Sequence, residues 1–77
     1  MMPTMEAGAT ITLTVNGAPH EARADSTVAA LLATLGIEPR LVVVELNRKI
    51  LRDRAAFPLT TLGNGDLVEI VHFVGGG

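Results

Sequence analysis

The chain has 77 residues, 48% of them apolar, and a formal net charge of −2, which leaves room for one small core and none for a deep cleft lined by its own catalytic groups. That charge offers no cluster of excess Lys and Arg to neutralise phosphate, which argues against nucleic acid as a partner. The lack of cysteine rules out disulfides and thiolate metal sites, and with only His20 and His72 as nitrogen ligands no metal centre is expected.

No apolar run approaches the roughly 20 residues that a bilayer-spanning helix needs, and the N-terminus lacks the basic start and apolar stretch of a signal peptide. The expected setting is cytoplasmic, with no membrane partner. Aromatics are scarce, so the core falls to Val, Leu, Ile and Ala, helped by Phe57 and Phe73.

Residues 1–8 lack periodicity and contain Pro3 and Gly8, and are expected to form a mobile leader, with the domain spanning 9–72 and a flexible tail 73–77. Ile11, Leu13 and Val15 alternate with Thr10, Thr12 and Thr14, the period of a half-buried strand. Asn16-Gly17 supplies positive φ at low cost and predicts a hairpin whose second strand returns through His20 to Arg23.

Asp25 or Ser26 is placed to cap a helix in which Val28, Leu31, Leu32 and Leu35 share one face, with Gly36 as its stop and Pro39 barring continuation. Leu41 to Leu46 reads as a strand, Asn47 as a turn, and Lys49 to Leu51 as a short strand. Arg52 to Leu62 has no sustained period and is expected to cross the fold irregularly, with a short helical turn. Phe57, Leu59 and Leu62 are its expected core contacts. Asn64-Gly65-Asp66 makes a turn before a last strand, Leu67 to His72.

Hairpin, helix, strand, short strand, crossing and last strand make an α+β domain: a mixed sheet of four to five strands with one main helix packed across it. A β-grasp (ubiquitin-like) fold meets that description, its first and last strands lying parallel at the centre, although element order leaves this pairing open.

The catalytic constellations are missing: there is no GxxxxGK[ST] loop, HExxH, CxxC or GxSxG. What stands out is the end, where a β-branched strand gives way to Gly75-Gly76-Gly77. From Phe73 an extended segment reaches about 16 Å, at 3.3 Å per residue, enough to enter another protein's active site. Glycines thread a narrow channel because they carry no Cβ. A carboxylate on Gly77 is already an anion near neutral pH and, held in line, attacks the α-phosphate of ATP. A frayed end is the plain alternative.

Val15-Asn16-Gly17, Ser26-Thr27-Val28-Ala29-Ala30-Leu31-Leu32, Gly65-Asp66-Leu67-Val68-Glu69-Ile70-Val71-His72 and Phe73-Val74-Gly75-Gly76-Gly77 together resemble the ThiS family of thiamine-pathway sulfur carriers, over about residues 9–77. The resemblance implies a β-grasp carrier, not itself an enzyme, whose Gly77 is adenylated by an E1-like adenylyltransferase and converted to a thiocarboxylate. Gly75 and Gly76 would present it. A sulfur-donating enzyme would supply the sulfur, and thiazole synthase would use it to build the thiazole ring of thiamine. No cofactor is expected on the chain itself; ATP and magnesium belong to the activating partner. One departure is Asn47-Arg48, where the family often has Asn-Gly, which leaves the turn geometry open.

If Glu69 and Glu45 face solvent, alternation turns Val43, Leu67, Val71 and Phe73 to the outer side of the sheet as a docking strip, against the alternative of scattered surface hydrophobicity. His72 is assigned no catalytic role, and Arg48, Lys49, Arg52 and Arg54 read as a solvated basic loop, against the alternative of a basic cluster that meets acidic groups on a partner. Three other functions stay open. A molybdopterin synthase small subunit shares the fold and Gly-Gly end but usually has prolines before the glycines, absent in His72-Phe73-Val74-Gly75. A ubiquitin-like modifier would have only Lys49 for chain linkage. A structural adaptor would not need its tail.

Overall fold

The computed structural model describes residues 9–73; the expected leader over residues 1–8 and the glycines Gly75, Gly76 and Gly77 lie outside them. The alternating start becomes strand β1, Thr10–Val15, with Leu13 fully buried and Ile11 and Val15 packed against the core. Asn16 (φ 50) and Gly17 (φ 85) both take the left-handed conformation that matches a tight hairpin to the twist of its strands. Because this turn consumes no further residue, β2 begins at Ala18, earlier than expected, and runs Ala18–Arg23 with Val15 opposite Ala18.

Helix α1, Val28–Thr34, buries Val28, Leu31 and Leu32, while Leu35 packs partly against the core. Its N-cap is Thr27, whose Oγ1 accepts from the Ala30 N–H at 3.1 Å, and not Asp25 or Ser26. The cause is tertiary: the Ser26 carbonyl accepts from Leu62 N–H and Thr27, still extended, bridges to Thr61, so the helix starts only after them. At the other end Gly36 (φ 72) allows Ile37 N–H to reach Leu32 O and Gly36 N–H to reach Ala33 O, closing the helix as a Schellman motif.

Pro39 starts a 3-10 turn, Pro39–Leu41, so β3 runs Val42–Leu46 and Leu41 is left exposed. Asn47 and Arg48 turn the chain into β4, Lys49–Ile50. The irregular crossing contains a second 3-10 stretch, Arg54–Leu59, started by Asp53 Oδ1 accepting from Ala55 N–H at 3.0 Å. Phe57 and Leu62 enter the core as expected, but Leu59 does not: it is 81% exposed. At three residues per turn, positions 57 and 59 point about 120° apart, so one face cannot bury both.

β5, Leu67–His72, completes a five-stranded sheet in the order β2-β1-β5-β3-β4. β5 runs parallel to β1 and antiparallel to β3. The expected parallel pairing of first and last strands is therefore present. Leu13, Val42, Val44, Val68 and Ile70 from the sheet meet Val28, Leu31 and Leu32 of α1, with Phe57 and Leu62 of the crossing completing one core.

Candidate functional site: the end of the last strand

β5 is held on both sides for most of its length. At its start, Asn47 N–H donates to Leu67 O at 2.7 Å and Leu67 N–H donates to Asn47 Oδ1 at 2.9 Å. Asn47 Nδ2 also donates to Asp66 Oδ1 at 3.1 Å. At its end, Phe73 N–H donates to Leu41 O at 2.9 Å. The strand that precedes the glycines in the sequence is thus fixed from Leu67 to Phe73.

On the β1 side a side chain finishes what the backbone begins. The parallel ladder places Thr14 opposite Leu67 and Val15 opposite Val68, and Asn16 N–H still donates to Val68 O at 2.9 Å. There the hairpin turns away. The Asn16 carboxamide then serves as one more rung, Oδ1 accepting from Ile70 N–H at 2.7 Å and Nδ2 donating to Ile70 O at 3.2 Å. Read from sequence as a turn residue only, Asn16 also secures the exit strand.

Arg54 was grouped by sequence with a solvated basic loop, and the structure corrects this. Its Nε donates to Pro39 O at 3.0 Å, one terminal nitrogen donates to Val42 O at 3.2 Å, and the guanidinium lies 5.8 Å from the centre of the Phe73 ring. Arg54 therefore ties the crossing to the start of β3 and to Phe73, the residue that follows β5. The sequence signal was only its arginine identity, since Lys has no planar fork able to reach two carbonyls.

The outer face of the sheet carries the residues that alternation placed there. Val43 lies opposite Val71 and Glu45 opposite Glu69, while Leu67 shares their side of β5. Val71 is 59% and Phe73 53% exposed; Val43 and Leu67 are half-buried. Ile50, opposite Glu45, adds a further exposed apolar side chain. Three of these residues, Val43, Ile50 and Phe73, together with Arg54, also border a shallow groove at the strand end. The apolar strip is not continuous, because Glu45 and Glu69 sit between Leu67 and Val71. Among the described residues neither carboxylate has a salt-bridge partner.

Among the described residues no cluster of His, Asp or Glu could hold a metal ion, and no helix is long and apolar enough to cross a membrane. His72 sits opposite Val42, exposed beyond the core, with no side-chain hydrogen bond among the described residues.

The chain is similar to a thiazole synthase of Magnetococcus marinus, 41% identical over 63 residues, which cover 82% of this chain and 19% of that protein. It thus spans about a fifth of that relative's length. It is 38% identical over 66 residues to the sulfur carrier protein ThiS of Bacillus subtilis, covering 84% of this chain and 98% of that one. Its fold matches the crystal structure of the thiamine biosynthesis protein ThiS from Geobacter metallireducens with a TM-score of 0.74 and 41% identity, over 87% of this chain and all of the other. The ThiS family model matches residues 13–77, and the chain belongs to the ThiS family.

Proposed function

We propose that this chain is a sulfur carrier that works through a free carboxylate on Gly77, presented by Gly75 and Gly76. An E1-like adenylyltransferase, which brings ATP and magnesium, holds that carboxylate in line with the α-phosphate. The carboxylate oxygen attacks phosphorus, pyrophosphate leaves, and the resulting acyl-adenylate is open to sulfur from a sulfur-donating enzyme, which displaces AMP. Thiazole synthase is the acceptor. Catalysis rests with the partners; this chain contributes a co-substrate and the surface that docks it.

The observation that carries the reading is the treatment of β5: a central strand bonded on both sides and followed in the sequence by a glycine-rich end. A carrier must deliver its last residue to a set distance and direction from its docking surface. A strand pinned at Ile70 and Phe73 does so, with Val43, Leu67, Val71 and Phe73 beside it as the docking residues.

The test is intact mass after incubation with ATP, magnesium, the E1-like enzyme and a sulfur donor. Exchange of the carboxyl oxygen for sulfur raises the mass by about 16 Da. No gain overturns the reading. Deleting Gly77 abolishes the gain and leaves the melting temperature unchanged, because the residue has no side chain to bury.

A further inference from the structure

The hydrogen-bonding register of β5 leaves one main-chain rung open at the strand's last residue. In the antiparallel pairing with β3, Asn47 N–H bonds to Leu67 O and Phe73 N–H bonds to Leu41 O. The residues of β5 that bond to β3 are therefore Leu67, Glu69, Val71 and Phe73, and those between them point their N–H and C=O toward β1. The structure bears this out on the β1 side. Val68 O receives Asn16 N–H, and both main-chain groups of Ile70 are taken by the Asn16 carboxamide. His72 is next in that series. The hairpin has turned away by then, and among the described residues neither its N–H nor its C=O has a partner.

We propose that this open edge is where the activating enzyme takes hold of the exit strand, by adding an extended main-chain segment of its own beside β5, with His72 N–H and C=O as the first rung. The proposal rests on the carrier reading and deepens it, since it names the kind of contact the partner makes. An N–H and a C=O projecting together from one strand residue fit another extended backbone. Continuity with the tail supports that occupant: four residues follow Phe73 in the sequence, and a partner strand begun at His72 takes hold of the chain just before the segment that must reach the nucleotide. A backbone grip is also suited to glycines, which have no side chains to recognise. Asn16 sets the boundary. By closing the rung at Ile70 it satisfies the fold up to that residue and leaves the edge available from His72 onward.

The experiment compares the wild-type chain, His72→Ala and His72→Pro as substrates of the E1-like enzyme, and follows hydrogen exchange at the His72 amide of the wild type, free and in complex. Proline removes the N–H on the open edge, where no ladder bond within the fold is lost. His72→Ala is expected to match the wild type. His72→Pro is expected to raise KM for adenylation about tenfold with kcat and melting temperature nearly unchanged, the effect of one lost main-chain hydrogen bond. The wild-type His72 amide is expected to exchange at least about tenfold more slowly in the complex. An unchanged KM for a folded His72→Pro chain, or an amide that exchanges as fast in the complex as alone, overturns strand addition. If His72→Pro fails to fold, the exchange measurement decides alone. A wild-type chain that is never adenylated overturns the carrier reading instead.

Discussion

Asn16 combines a left-handed backbone (φ 50) with a carboxamide bonded to both main-chain groups of Ile70. Glycine separates the two roles, since it accepts the backbone angle and has no amide. Asn16→Gly should therefore destabilise the chain by about 1–2 kcal/mol, the cost of leaving partly buried main-chain groups without partners, read as a lower denaturant midpoint at unchanged slope. Arg48 is the opposite case. Its φ of 72 follows Asn47 at 52, so Asn47-Arg48 takes the double left-handed geometry that Asn-Gly would take, with a side chain that disfavours it. Arg48→Gly should stabilise the fold by about 0.5–1 kcal/mol in the same assay. The turn at Asn16-Gly17 was legible because turn chemistry is local. The bond from Asn16 to Ile70 spans 54 positions, and no local pattern encodes a partner that distant.

Alternation sorted β3 and β5 correctly: Val42, Val44, Val68 and Ile70 are buried, and Val43, Glu45, Glu69 and Val71 lie on the other side. A period-two pattern tells which residues share a face within one strand. It does not tell which residues meet across strands, so it missed that Glu45 and Glu69 stand directly opposite each other. Like charges in that position destabilise a sheet. Glu69→Thr should raise stability by a few tenths of a kcal/mol up to about 1 kcal/mol at low salt, and most of the gain should vanish at about 1 M salt, where the repulsion is screened. Equilibrium unfolding at the two ionic strengths checks this; a gain that persists at high salt would assign the effect to the β propensity of threonine instead. The crossing was less legible. Leu59 turned on the three-residue period of the 3-10 stretch, and the Thr27 cap on how the chain around Leu62 pairs with Ser26 and Thr27, which propensities at Asp25 and Ser26 could not register.

On the proposed carrier reading the molecule has a domain that docks and a glycine-rich end that reacts. Among the described residues β5 is held by Asn47 at its start, by Asn16 at Ile70, and by Leu41 and Arg54 at Phe73. A chain ending at Phe73 should then fold with the stability of the full chain, keep the outer face and the open rung at His72, and lack the group that is adenylated. It should act as a competitive inhibitor of adenylation of the full chain, with an inhibition constant about ten- to a hundredfold above the full chain's KM, because it keeps the anchoring residues and the rung at His72 and loses the backbone grip on the tail. Adding Val71→Ser and Phe73→Ser to the shortened chain removes two exposed anchors without opening the core, and inhibition should fall at least about tenfold while the fold persists. The measurement is initial adenylation rate against inhibitor concentration, with circular dichroism as the folding control. A shortened chain that folds but does not inhibit would place the recognition in residues 74–77 and reduce the domain to a tether. Inhibition that survives both serines would move the docking surface off the outer face while keeping it on the domain.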